Sequence, residues 1–400
     1  MKKIASILAV ILMIAMLAGC SLVAVNPDKI VVASIGEKTI SKTEFDAYLN
    51  AYLSTYGYTV DSAEIAEQLP DLKTSMIEVL VEEAVIANKI AELGFDQISD
   101  EEKADAEALI QEWYDLQLKM LTDTYAADAS IADPAAEAKA ALDDYLTGTY
   151  GTTLEAMKQA EVDYIPSNKL YDHVTKDIVV SEEQAKINYA ENVANAKDLY
   201  DSDIATFTAH HDSGRVLFYI PEGVFYVKHI LIGFTDEQKE ELTALRGDDD
   251  EAVAATADAK REEFLATIQE EADIVLAAVE NGGDFDALIA EYGDDPGMKD
   301  ALYAEKGYMT YVGNPGFVTE FTAGADTLTA DGMTTGLVAS DFGYHIIRRV
   351  STLTAGEVPF ADVKDDIMTG LLENAKEEAY NAAVAAWVAE ADITINDKNL

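Results

Sequence analysis

The sequence predicts an α+β protein: a mostly helical domain built from N- and C-terminal segments, with a strand-bearing domain inserted between them. Three observations carry this expectation. Apolar residues recur at helical spacing through 41–198. From Val224 to about Val350 that spacing gives way to short strands and glycine-bearing turns. Helix then returns at 360–391 as a long amphipathic segment with no core of its own, so it is expected to pack back on the N-terminal helices.

The N-terminus opens with MKK, continues with an apolar run from Ile4 to Met16, and closes with LAGC, small residues leading to Cys20. This resembles a bacterial lipoprotein signal with its lipobox. The resemblance implies a signal peptide over 1–19, a lipidated Cys20 as first residue of the mature chain, and a tether over 20–29. The alternative is an uncleaved anchor, since the apolar run is close to the lower length limit for a spanning helix. Either reading puts the rest of the chain outside the cytoplasm. Cys20 is the only cysteine, which excludes disulfides and thiol catalysis in the rest of the chain.

Residues 30–40 alternate like a small hairpin turning at Gly36. Ser41 followed by Glu44 has capping-box spacing, with Phe45, Tyr48, Leu49 and Leu53 as an apolar stripe behind it. A core helix over 75–94 is expected to stop at Gly94, and another starts at Ser99 and runs to about 121. Further helical stretches fall at about 134–147, 152–160 and 181–198. Residues 200–222 are polar and turn-rich and read as a linker or edge strand. His210, His211 and Asp212 stand there as solvated loop residues, since adjacent side chains diverge on a strand and no further metal ligand accompanies them.

The formal charge is −47, from 28 basic and 75 acidic residues. Repulsion on that scale excludes nucleic-acid partners. The acidic run at 236–251 lacks a D-x-D-x-D-G pattern and reads as solvated surface rather than a calcium site.

Two apolar strands each carry a histidine: FYVKHILIGF with His229 and FGYHIIRRV with His345. With GGDFDALIAEYGDDPG (282–297) and GNPGFVTEF (313–321) between them, in that order, this stretch resembles the parvulin-type peptidyl-prolyl isomerase domain. Together with the flanking helices, the IGEKTISKTEF opening and the lipobox, the chain resembles the extracellular lipoprotein foldases of Gram-positive bacteria, the PrsA family with its SurA-like helical chaperone domain. The resemblance implies an isomerase domain over 223–352, with a four-stranded antiparallel sheet and surrounding helices, inserted in a helical chaperone domain of 30–222 and 353–400.

By the same resemblance His229 and His345 are facing core histidines, Asp295 stands where the family has cysteine or aspartate, Met309, Phe317 and Phe321 hold the proline ring, and Ser340 and Phe342 line the far side of the groove. His229, Asp295 and His345 are the candidate catalytic residues. No cofactor or metal is implied. The chain departs from the family's usual G-D-L-G-W-F at Tyr308 and Thr310, and Phe317 replaces a usual methionine.

The implied partners are unfolded or newly exported proteins with X-Pro bonds and the membrane through Cys20, with no nucleic acid and a homodimer left open. The implied location is the extracytoplasmic face of the cell membrane. Two rival classes stand beside this reading. One is a non-catalytic holdase that keeps the isomerase domain as a peptide-binding module. The other is a transporter's solute-binding lipoprotein, which requires alternating β-α units that 41–198 do not show.

Overall fold

The computed structural model describes residues 30–247 and 251–400. The signal segment, Cys20 and the tether lie outside the described residues. The chain divides into two compact units, one of residues up to Val179 with Leu372–Leu400, the other Val180–Leu371.

In the first unit β1 (Val31–Ile35) and β2 (Lys38–Ser41) form the expected hairpin, and Gly36 takes the left-handed conformation that the turn needs. Helix α1 (Lys42–Thr55) starts with a complete capping box: the Ser41 hydroxyl accepts from the Glu44 N–H, and the Glu44 carboxylate accepts from the Ser41 N–H at 2.7 Å. Helix α2 (Leu69–Leu93) ends on Gly94, again left-handed, and α3 (Asp100–Ala126) is boxed by Ser99 and Glu102. Helices α4 (Pro134–Tyr150) and α5 (Leu154–Thr175) follow. The helix expected to end near 160 continues as α5 through Pro166, whose missing N–H is outweighed by burial of Val162 and Leu170 on either side. Two cores result. Phe45, Leu49 and Leu53 pack with Ile77 and Val81; Ile110, Tyr114, Leu142, Leu146 and Met157 form the second, with Trp113 against it.

The second unit begins with α6 (Glu182–Ser202), boxed by Ser181 and Gln184. The expected linker at 200–222 is instead largely helix: α7 spans Ile204–Asp212. Asp203 caps it by accepting from the Thr206 N–H, Phe207 is fully buried, and His210 is held between the Tyr200 hydroxyl (2.9 Å) and Arg215 (2.8 Å). Cap and burial overrule weak local propensity there. Then come β3 (Tyr219–Ile220), β4 (Val224–Gly233), α8 (Asp236–Arg246), α9 (Glu251–Glu280), α10 (Phe285–Tyr292), α11 (Pro296–Lys299), α12 (Ala301–Ala304), β5 (Tyr308–Tyr311), α13 (Thr319–Asp326), β6 (Val338–Ser340), β7 (Gly343–Thr352) and β8 (Gly356–Glu357).

The second unit's main sheet is four-stranded and antiparallel in the order β5-β4-β7-β6. Strand β4 alternates between two buried faces. Ile230 and Ile232 lie in a core with Ala272 and Val275 of α9 and Phe285 and Ile289 of α10. Phe225 and Val227 lie on the other face with Phe321, Ala325 and Ile347. Each such side chain contributes at most about 1.5–3 kcal/mol by leaving water. His229 and Leu231 share parity with Phe225 and Val227, so both project onto the face covered by α13.

Helix α14 (Phe360–Glu390) departs in part from expectation: Val363 and Ile367 pack with Ala185 in the second unit, while Trp387 and Val388 pack with the α1–α2 core in the first. Strand β9 (Ile393–Ile395) then pairs with β1, a pairing absent from the sequence reading.

Candidate active site

Strands β4 and β7 bring the two histidines together. Their Nδ1 atoms are 3.1 Å apart, and both residues are buried. Asp295 reaches them from the turn before α11, placing Oδ2 2.6 Å from His229 Nε2. The Tyr308 hydroxyl donates to the same oxygen at 2.8 Å, and the Gly297 N–H donates to Oδ1 at 2.9 Å. At the far end Ser340 Oγ lies 2.7 Å from His345 Nε2 and accepts from the Phe342 N–H at 3.1 Å.

With a neutral His229, one proton arrangement satisfies every contact. Burial pushes the Asp295 carboxyl up, but hydrogen bonds from His229, the Gly297 N–H and Tyr308 outweigh it and hold the group down at about 2. An ionised Asp295 accepts only, so His229 carries its proton on Nε2 and presents a bare Nδ1. His345 must then donate from Nδ1, and its bare Nε2 takes the Ser340 hydroxyl proton. The His345 ring is neutral. Burial, followed by the neighbouring His229, depresses His345 to about 3 despite the attraction of Asp295. Burial and then Asp295 push the Tyr308 phenol well above its usual range, so it stays a donor.

Over this chain lies a pocket of about 290 Å³. Phe317, Phe321, Leu231, Val318 and Phe342 form its apolar wall, and His229, His345, Asp295 and Tyr308 its polar side. Phe321 stands edge-on to both histidine rings, with centroids 5.1 and 5.4 Å away, and Phe317 packs on Phe321 at 5.0 Å. Such a cleft can take a small apolar ring and hold a polar group beside it.

Five expected residues, His229, Asp295, His345, Phe317 and Phe321, line this cleft, and Phe342 forms its exposed rim. Two expected wall residues do not. Met309 pairs with Tyr226 and packs in the opposite cluster with Phe207 and Tyr219; strand alternation turns Tyr308 to the pocket instead. Ser340 is fully buried and lies behind the wall as the hydrogen-bond partner of His345. Thr310, also buried, accepts from Asn314 at the base of the loop that carries Phe317. Leu231, Tyr308 and Val318 are wall residues missed, and the period-two pattern running from His229 to Leu231 is the signal that locates the first.

Residues 229–351 match the rotamase family model, described as the PPIC-type PPIASE domain. The chain carries a parvulin-type peptidyl-prolyl isomerase domain. Residues 1–117 match the SurA-like N-terminal domain. Along nearly its whole length the chain is similar to the foldase protein PrsA of Clostridium tetani, at 22% identity over 97% of this chain and 94% of that one. It is 24% identical to foldase protein PrsA of Clostridium perfringens over 100% of this chain and 96% of that one. The crystal structure of PrsA from Bacillus subtilis aligns with 93% of this chain and 97% of that one, at 18% identity and a TM-score of 0.21. The matched stretch contains both histidines and every residue of the pocket described above.

Proposed function

We propose that the chain is a foldase that acts on exported, incompletely folded proteins, tethered by a lipid on Cys20 at the extracytoplasmic face of the membrane, with 223–352 as its catalytic insert in a helical chaperone domain. The observation that carries the catalytic part is the apolar slot set directly against the Tyr308–Asp295–His229–His345–Ser340 chain. The lipobox and the likeness to PrsA foldases support the remainder.

A prolyl bond isomerises by twisting about its C–N bond over a barrier of about 18–20 kcal/mol, and no covalent bond need break. The proline ring fits between Phe317, Phe321 and Leu231, which fixes one half of the imide and leaves the other free to turn. The same walls remove water from the imide carbonyl. Loss of its hydrogen-bonded water weakens the resonance that keeps the bond planar. Asp295, ionised and held by three donors, sets a fixed field beside the turning amide, and His229 keeps that carboxylate in place. A thousandfold acceleration requires about 4 kcal/mol of preferential binding to the twisted state.

Exchange spectroscopy on an Ala-Pro peptide tests this. Added chain should broaden and exchange the cis and trans signals at catalytic ratios. No acceleration from a folded protein would leave a peptide-holding role without catalysis.

A further inference from the structure

The geometry assigns Tyr308 as a positioning residue of the isomerase site: its hydroxyl fixes Asp295 against His229 while its ring closes the pocket. The inference rests on Asp295 acting at the twisting imide as proposed above.

Tyr308 and His229 converge on a single oxygen, Asp295 Oδ2, from two neighbouring strands, at 2.8 and 2.6 Å. With the Gly297 N–H on Oδ1, three donors arriving from β4, β5 and α11 define the plane of the carboxylate. Without the phenol, the Oδ2 side is held by His229 alone, and the carboxylate can rotate out of line with the imidazole chain.

The surroundings are built for this phenol. A methyl group at Gly297 would lie 1.8 Å from the Tyr308 hydroxyl oxygen, so the glycine is what lets the phenol approach. The ring is clamped between Tyr303 (4.9 Å between centroids) and Phe317 (5.7 Å) and faces His229 at 6.0 Å. It therefore forms one pocket wall and supplies one hydrogen bond, two roles that substitution can separate. Asp295 is faced by His229 on β4, His345 on β7 and Tyr308 on β5, and Tyr308 itself by Tyr303 on α12 and Asp300 before it.

The test uses the full chain, an Ala-Pro peptide and three variants, with kcat and KM obtained from exchange spectra over a range of peptide concentrations. Tyr308→Phe keeps the ring and removes the donor, so kcat should fall about tenfold, equivalent to about 1.4 kcal/mol, while KM holds. Its acid limb should move to higher pH, because Asp295 loses a donor that favours its ionised form. Gly297→Ala should reproduce the Phe variant by pushing the hydroxyl away, and Tyr308→Leu should also raise KM. The ring-nitrogen chemical shifts of His229 give a readout independent of turnover and should change in Tyr308→Phe. Wild-type kcat and an unmoved acid limb in Tyr308→Phe would overturn the assignment, as would unchanged histidine shifts. Should the wild-type chain itself fail to catalyse, the proposed function falls, and the His229 shifts alone decide whether Tyr308 positions Asp295.

Discussion

His229 and His345 are diagonal neighbours in the β4–β7 ladder: His229 pairs with Ile347 and His345 with Leu231, yet the two rings stack at 5.2 Å with 25° between their planes. The diagonal lets both Nδ1 atoms meet while each Nε2 points to a different partner, Asp295 on one side and Ser340 on the other. Removing either ring breaks the chain at its centre. His229→Ala leaves the His345 Nδ1–H buried without an acceptor, at a cost of about 1–3 kcal/mol. Urea denaturation of the two single variants and the double variant should show strong coupling, with the double costing clearly less than the sum. Additive costs would mean that the rings do not share a proton.

Acid should destabilise the fold from near neutrality downward. The unfolded chain protonates His345 near the ordinary value of about 6.5, whereas the folded chain resists until about 3. Between those values the unfolded state binds more protons, so stability falls as pH falls, by a few kcal/mol at most. Asp295, held at about 2, adds a further loss in the same direction below its ordinary range of about 4. His345→Gln should flatten the upper part of the curve of Tm against pH. An equal slope in wild type and variant counts against a neutral, buried His345.

Asp295 separates structure from field. The sequence, reading DPG as a loop, predicts that Asp295→Ala costs little stability. Three donors on the carboxylate and its capping of α11 reverse that expectation, and a loss of about 1–3 kcal/mol is expected. Asp295→Asn keeps an acceptor oxygen and should retain most of the stability while lowering the isomerisation rate. Retention of full rate by the Asn variant removes the carboxylate charge from the mechanism.

The turn that carries Phe342 is anchored from outside the sheet. Asp341 receives two hydrogen bonds from Arg246 at the end of α8, Oδ2 from Nε at 2.8 Å and Oδ1 from Nη2 at 3.1 Å. Arg246→Ala should loosen the Phe342 rim and raise KM severalfold with kcat nearly unchanged, because nothing in the Asp295–His chain is touched. High salt should weaken wild-type peptide binding in the same way, since the pair is partly exposed. A drop in kcat at constant KM would argue for a different role.

The histidine strands, the caps at Ser41, Ser99 and Ser181 and the stop at Gly94 are legible because each is a local rule satisfied within a few residues. The side on which Met309 lies is not legible, for the opposite reason. The phase of a four-residue strand is set by its partner, and only the pairing of Val227 with Tyr308 shows which side of β5 faces the pocket. Helix α7 was hidden by its threonines and histidines, which favour helix weakly and become helical once Phe207 is buried. The third strand β9 is invisible locally, since three residues carry no period. Tyr308 was visible as a departure from the family pattern, but its hydroxyl's destination depends on the absent Cβ of Gly297 eleven positions earlier in the chain.

The two tryptophans of the sequence, Trp113 and Trp387, both pack in cores of the first unit, and the second unit contains none. Intrinsic fluorescence excited at the red edge therefore follows the first unit and is blind to the isomerase sheet, so a melting curve recorded that way can report an intact molecule whose catalytic half has already opened. Peptide entering the pocket will be seen optically through tyrosine, foremost Tyr308, whose ring stands in the wall.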